Sequence, residues 1–234
     1  MTNKGAMSMS NNPSNNLTFQ NYEQAIAWQK GHRVSTPKIG QTAPDFQLLD
    51  IEGQNPVSLS SFRHHKPVAL VFGSFSWPPF VEQSVSLQQL YQQFHQQVEF
   101  LVIYIREAHP VDGWDINSPN RILDPQTIEQ RRQVAGECEQ AMKYGIRTYV
   151  DEMHDPVMTA YTAWPERLYL IDKIGKIACV GGEGPFGFKP SELRGAIAKL
   201  LEVWKRRILS DMDAIIRYQQ RGNPLTSQSP GIVF

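Results

Sequence analysis

At 234 residues the chain is longer than one average domain of roughly 150 residues and shorter than two, so one domain with extended ends is expected. Lys and Arg total 23, as do Asp and Glu. The formal charge is therefore zero, without the positive excess expected of a nucleic-acid or acidic-membrane partner. Hydrophobic residues at 41% exclude a disordered chain, and two cysteines, Cys138 and Cys179, are too few for a disulfide scaffold.

The chain opens on a polar stretch, Met1–Asn16, rich in Asn and Ser and without the apolar centre of a signal peptide. The longest apolar run, Phe100–Ile105, is far short of the roughly 18 residues that span a membrane. A cytoplasmic location follows as the expectation, with neither membrane nor nucleic acid as partner. A short helix is expected at Tyr22–Lys30. Residues 1–38 then form a polar tail with that helix, 39–205 the folded domain, and 206–234 a helix end with a turn-rich tail.

Pro67–Phe72 is an apolar run ended by Gly73, which suits a strand buried on both faces. From Pro79 to Gln96 apolar residues recur every three or four positions, predicting one helix with Pro79 in its first turn. Phe100–Ile105 reads as a second buried strand. Thr127–Lys143 reads as a helix opened by a Thr127–Gln130 capping box and closed by Gly145. Thr148–Val150 is short and β-prone. Arg167–Asp172 and Lys176–Val180 flank the turn Lys173-Ile174-Gly175 and predict an antiparallel hairpin. Ser191–Tyr218 is a long amphipathic helix with its stripe on Leu193, Ile197, Leu200, Leu201, Trp204 and Ile208. Two strands joined through a helix form a parallel pair, and the hairpin adds antiparallel edges. The order predicts an α/β thioredoxin-like fold, a central mixed sheet flanked by helices.

Upstream, Ala43-Pro44-Asp45-Phe46-Gln47-Leu48-Leu49-Asp50, with Gly53, Leu59, Ser61 and Phe62, resembles the redoxin entry pattern and implies a peroxiredoxin-like N-terminal β-hairpin. Three further strings are more specific: Phe72-Gly73-Ser74-Phe75-Ser76-Trp77-Pro78-Pro79-Phe80, Tyr104-Ile105-Arg106-Glu107-Ala108-His109-Pro110-Val111-Asp112-Gly113-Trp114, and Pro165-Glu166-Arg167-Leu168-Tyr169. With the Gly181–Pro185 loop they resemble the iodothyronine deiodinases and their bacterial relatives, from about Ala43 to Leu201. The resemblance implies reductive removal of iodine from an aromatic ring by a selenocysteine or cysteine. No cofactor is bound, and the electrons come from a thiol reductant or a thioredoxin-like protein. The substrate is a small aromatic or halogenated molecule, and there is room for a homodimer.

A turn from strand to helix points amides and the positive helix end at residues 76–78, a setting that lowers a thiol's pKa. The family's nucleophile belongs at position 77, where this chain has Trp77, whose indole has no nucleophilic atom. Phe75 stands where family members often carry a cysteine, and Ser76 where they carry Thr. Three readings stay open. The tryptophan is a true replacement in a non-catalytic binding module; or the codon, one base from cysteine codons and from UGA, was substituted or misread; or the chemistry has moved to Cys138 or Cys179. Both cysteines fit better as small buried hydrophobes. A peroxiredoxin-like peroxidase lacks its reactive cysteine here, and no metal site is expected from the spacing of His64, His65 and His154.

Glu107 and His109 follow the second strand. On an extended chain they face the same way, so a carboxylate beside the imidazole would keep His109 protonated as a proton donor. The resemblance implies substrate contact and proton delivery for both. Trp114 and Tyr104 are candidates to face a ring-shaped ligand. Ser74, Phe75 and Pro78 line the turn, and Pro165 falls where thioredoxin-like folds keep a cis-proline. Arg167 either orients the site as a substrate-binding residue or pairs on the surface, and surface pairing is the expectation. Glu183 stands where some relatives use an Arg, and with Pro125 in place of a His it argues against an anionic iodophenolate.

Overall fold

The computed structural model describes residues 18–31 and 35–220. The polar N-terminal tail and the turn-rich C-terminal tail expected from the sequence lie outside the described residues. In chain order the elements are α1 (Tyr22–Gly31), β1 (Gln47–Asp50), β2 (Val57–Ser58), a 3-10 turn (Leu59–Phe62), β3 (Val68–Gly73), α2 (Pro78–Glu82) and α3 (Ser84–Phe94). There follow β4 (Glu99–Tyr104), α4 (Ile128–Met142), β5 (Thr148–Val150), α5 (Pro156–Tyr161), β6 (Arg167–Ile171), β7 (Ile177–Val180) and α6 (Pro190–Gln220).

The sheet has seven strands in the order β2-β1-β5-β4-β3-β6-β7. β3 and β4 are parallel, as their helical crossover requires, and β4 and β5 are parallel too. β6 runs antiparallel to β3 and to β7. The expected terminal hairpin therefore makes one edge only. The other edge is the N-terminal hairpin, β1 with β2, which joins the sheet antiparallel to β5.

β3 is apolar throughout because both of its faces are covered. Leu70 and Phe72 enter one core with Leu101, Ile103, Tyr161 and Tyr169, and Ala69 and Val71 enter a second with Leu90, Cys138 and Ile197. Helices α3, α4 and α6 cover the second face, whereas Ala25 of α1 and Met158 of α5 belong to the first. Full burial of each large side chain stabilises by roughly 1.5–3 kcal/mol. The last residue of β3, Gly73, has no room for a side chain, because a Cβ there would run into the Phe80 ring.

Two helical expectations need correction, and one helix was not expected. The helix predicted over 79–96 is two, broken at Gln83, whose N–H bonds the Phe80 carbonyl instead of continuing the α pattern. The capping box at Thr127 is present, but Lys143, at φ 50°, is the left-handed residue that closes α4, ahead of Gly145. α5 was not legible at all. It is six residues long, with left-handed Asp155 before it and left-handed Thr162 after it. Among the described residues no helix is long and apolar enough to cross a membrane.

Candidate active site

The turn after β3 is held by the segment after β4, the adjacent parallel strand. Phe75 N–H donates to the Tyr104 hydroxyl over 3.0 Å, and Ser76 N–H to Glu107 Oε2 over 2.9 Å. Tyr104 donates its hydroxyl proton to Glu107 Oε1. The Ser76 hydroxyl oxygen accepts from Ala108 N–H at 3.1 Å and His109 N–H at 3.0 Å. The Asn120 side chain closes the far side with 3.0 Å to the Phe75 carbonyl. Residues 74–77 and 104–109 are thus one interlocked unit. Tyr104 and Glu107 sit beneath it and are fully buried, so Tyr104 is part of the support and not a face for a ligand. Burial raises the Glu107 pKa, opposed by the hydrogen bonds from Ser76 and Tyr104.

Trp77 caps α2 with extended backbone, φ −95° and ψ 103°. Pro78 and Pro79 occupy the first two helical positions and have no N–H, and the Phe75 and Ser76 amides are already engaged. The amide-rich, positive pocket expected at 76–78 is therefore largely absent. Instead the Trp77 indole fills the site. It packs against both cores and stacks on the His109 ring, with centroids 5.2 Å apart and planes at 28°.

His109 does not lie beside the Glu107 carboxylate. The chain leaves β-conformation after Tyr104, so the two side chains diverge. Glu107 turns under Ser76, while His109 Nδ1 lies 2.8 Å from the Trp114 carbonyl and its ring meets Trp114 edge-on at 4.4 Å. A carbonyl only accepts, so Nδ1 carries the proton and Nε2 is the other nitrogen. Burial lowers the His109 pKa, against the Trp114 carbonyl and Asp115, which raise it. The imidazole is therefore neutral near pH 7, the reverse of the protonated donor expected from the sequence.

The Trp164–Pro165 peptide is cis, and Glu166 follows it. The Glu166 side chain is buried, neither of its oxygens accepts a hydrogen bond from the described residues, and burial pushes its carboxyl up to about 8. The Trp77 indole N–H faces this carboxyl without reaching hydrogen-bonding geometry. The Ser74 hydroxyl, also buried, lacks a partner among the described residues too. Sequence reasoning passed over Glu166. The signal was a carboxylate set directly against Arg167–Ile171, a strand with no exposed position.

Arg167 is not on the surface. It is 6% exposed, and its Nε donates to the Gly181 carbonyl at 3.0 Å while Nη1 donates to the Thr162 carbonyl and hydroxyl at 2.9 and 2.7 Å. Glu183 lies 3.9 Å from the same guanidinium, which offsets its charge. The N-terminal segment also reaches the site: Trp114 N–H donates to the Phe19 carbonyl, and the Tyr22 ring stands 5.5 Å from that of Trp114. Cys138 is buried against Met142 with its thiol pKa raised by burial, and burial likewise raises Cys179. Neither has the electropositive setting of a reactive thiol. Among the described residues no three His, Cys, Asp or Glu side chains gather as a metal site.

A family model described as iodothyronine deiodinase matches residues 2–201. The chain belongs to that family. It is 32% identical over 202 residues to a thyroxine 5-deiodinase of Sparus aurata, covering 86% of this chain and 73% of the relative. The thyroxine 5-deiodinase of Gallus gallus is 34% identical over 206 residues, 86% and 76% of the two chains. With the Ovis aries enzyme the match is 38% over 157 residues, 66% of this chain and 53% of that one. The deiodinase-family chain thus spans between about half and three quarters of these relatives. Among solved structures, a hypothetical protein of Sinorhizobium meliloti superposes with TM-score 0.54 at 21% identity, covering 72% of this chain and 86% of its own. The thioredoxin domain of a Bacteroides vulgatus thiol-disulfide oxidoreductase follows at 0.50 and 18%, covering 70% and 98%. These place the fold among the thioredoxin-like redoxins, and the family carries a deiodinase-like redox function.

Proposed function

We propose that the site is built for thiol- or selenol-dependent reductive removal of iodine from an aromatic ring, and that Trp77 leaves this chain inactive in that reaction. The interlock of residues 74–77 with Glu107, Tyr104 and His109 is the observation that carries the reading, because it fixes position 77 against an imidazole with one defined free nitrogen. With a thiol at that position, neutral His109 takes the S–H proton on Nε2. The thiolate attacks iodine, the C–I electron pair stays on the ring carbon, and the imidazolium returns the proton there. A second thiol then attacks the sulfur and expels iodide, and a third thiol resolves the mixed disulfide. Two external thiols are oxidised to one disulfide as the iodoarene becomes arene and iodide.

Glu107 keeps its place as a positioning residue, holding Ser76 and through it the His109 backbone. The Arg167–Glu183 contact reduces the objection to an anionic phenolate that Glu183 raised.

The test is Trp77→Cys, assayed for iodide release from an iodophenol with dithiothreitol as donor. Release that disappears in Trp77→Cys with His109→Ala supports the reading. No release from a folded Trp77→Cys protein overturns it in favour of a binding module, as does release that is indifferent to His109.

A further inference from the structure

Between β4 and α4, residues 105–127 form neither helix nor strand, and His109 lies within them. So long a segment without ladder hydrogen bonds takes its shape from side supports. Some of these are local: Val111 N–H donates to the Ile122 carbonyl at 2.8 Å, and Asp124 N–H to Asp112 Oδ1 at 2.9 Å. The others come from residues 18–22, distant in sequence. The Phe19 carbonyl accepts the Trp114 N–H at 2.5 Å, and the Tyr22 ring stands edge-on to that of Trp114. Gln20 Nε2 donates to the Asp112 carbonyl at 3.3 Å, and the Thr18 hydroxyl to Asp124 Oδ2 at 2.6 Å. Gly113 permits this approach, because a Cβ there would lie 2.6 Å from the Phe19 carbonyl oxygen. Phe19 is the anchor: it is 2% exposed, with the Arg106 guanidinium 5.5 Å over its ring and the Trp164 ring 5.6 Å away, edge to face.

We propose that Thr18–Tyr22 is a positioning segment of the active site, which fixes the proton of His109 through Trp114. The two meet on that one residue. The segment takes the Trp114 N–H and one edge of its ring, and the Trp114 carbonyl faces His109 Nδ1 at 2.8 Å. That carbonyl keeps the proton on Nδ1 and leaves the lone pair on Nε2, so the inference rests on the base role given to Nε2 above. Release of the segment turns the Trp114 N–H to solvent and frees its carbonyl to leave Nδ1. The neutral ring then shares its proton between both nitrogens, and the form protonated on Nε2 has no acceptor to offer a thiol at position 77. Any residue at position 19 supplies a carbonyl, but only a buried anchor holds it against Gly113. Phe19 and Gly113 are therefore the two determinants of the seat.

NMR of the His109 ring nitrogens, read together with amide hydrogen exchange, tests this in the full chain with Trp77 in place. The parent should show protected α1 amides and a single tautomer with the proton on Nδ1. Phe19→Ala and Gly113→Ala should each lose the α1 protection and move the ring nitrogens toward the average of two tautomers, while β3 and β4 stay protected. Phe19→Ala is the decisive variant because it leaves residues 105–127 intact, whereas Gly113→Ala also presses on Pro110, 3.1 Å from the added Cβ. If loss of the Phe19 ring unfolds the domain, Tyr22→Ala decides: that side chain is 56% exposed, and its removal should move the ring nitrogens the same way by less. A segment that is released while the ring nitrogens keep their parent signature overturns the proposal, since the segment then only adds stability. So does a segment unprotected in the parent, or one that stays docked in both variants. In Trp77→Cys, adding Phe19→Ala should lower iodide release by on the order of tenfold or more. A Trp77→Cys chain that releases no iodide strikes the reaction alone, because the ring nitrogens report the positioning without turnover.

Discussion

Glu107 and Glu166 are both buried near Trp77, yet their surroundings differ. Glu107 accepts from the Tyr104 hydroxyl and the Ser76 amide, so its cost of burial is largely met and its position is fixed. Glu166 accepts from none of the described residues, and its carboxyl is pushed up to about 8, so near neutral pH it is held as the neutral acid. A third buried carboxylate sets the scale. Asp155 lies between two guanidiniums, 2.7 Å from Arg106 Nη2 and 2.9 Å from Arg131 Nη1, all three nearly inaccessible to solvent. The series runs from a carboxylate that neutralises buried charge, through one that satisfies neutral donors, to one that does neither. Burial alone does not say what a carboxylate does; its donors do.

The largest effect separates the first from the other two. Asp155→Asn keeps the left-handed backbone at φ 57°, which Asn tolerates, but removes the carboxylate charge that bonds both buried guanidiniums. A loss of about 3–5 kcal/mol in urea unfolding is expected. A loss below about 1 kcal/mol would show that the guanidiniums find other partners, since Arg131 also donates to the Asp151 and Glu152 carbonyls at 3.2 and 2.8 Å.

Glu107→Gln comes next. The amide retains one carbonyl for either Ser76 or Tyr104 and presents an N–H₂ to the other, so one donor loses its acceptor. The expected cost is about 1–3 kcal/mol. Because Ser76 in turn holds the Ala108 and His109 amides, the variant should also broaden the His109 ring signals in NMR. Unchanged stability and an unchanged His109 spectrum would mean that the interlock does not depend on the carboxylate.

This comparison also explains what could be read from the sequence. β3 and β4 were legible because strands covered on both faces carry continuous apolar runs, Val68–Phe72 and Phe100–Tyr104, and α4 because Thr127 and Gln130 lie three residues apart. The approach of the 74–80 turn to His109 followed from topology, since parallel neighbours bring their C-terminal ends together. What failed depended on partners distant in sequence. Asp155 is 49 residues from Arg106, and Glu107 is 31 from Ser76, so no local pattern shows that one carboxylate meets cations and the other a hydroxyl and an amide. The expected Glu107–His109 pairing assumed an extended chain beyond Tyr104, where the backbone in fact turns. Arg167 was misplaced for the same reason, its acceptors being carbonyls of two loops and not a neighbouring acid.

The last effect is the most diagnostic, because it is smallest near pH 5 and grows as pH rises. Glu166 has a folded pKa of about 8 against an ordinary glutamate value of 4.5, so between those values the folded chain holds a proton that the unfolded chain has released. Stability then falls as pH rises through that window, by up to about 1.4 kcal/mol per pH unit for one proton, and levels off above about 8. Asp151, which burial pushes up to about 7, contributes a decline of the same sign over its own lower window. Glu166→Gln removes one of these slopes and leaves the other. Near pH 5 the variant and the parent should differ by less than about 1 kcal/mol, since an amide and a neutral acid are similar in size and polarity. Toward pH 8 the variant should become the more stable protein, and the difference between the two curves isolates Glu166 from Asp151. Parallel curves would mean that Glu166 is ionised in the folded chain. An anionic Glu166 would then require a donor, and the Trp77 indole N–H that faces it is the group placed to move into hydrogen-bonding reach.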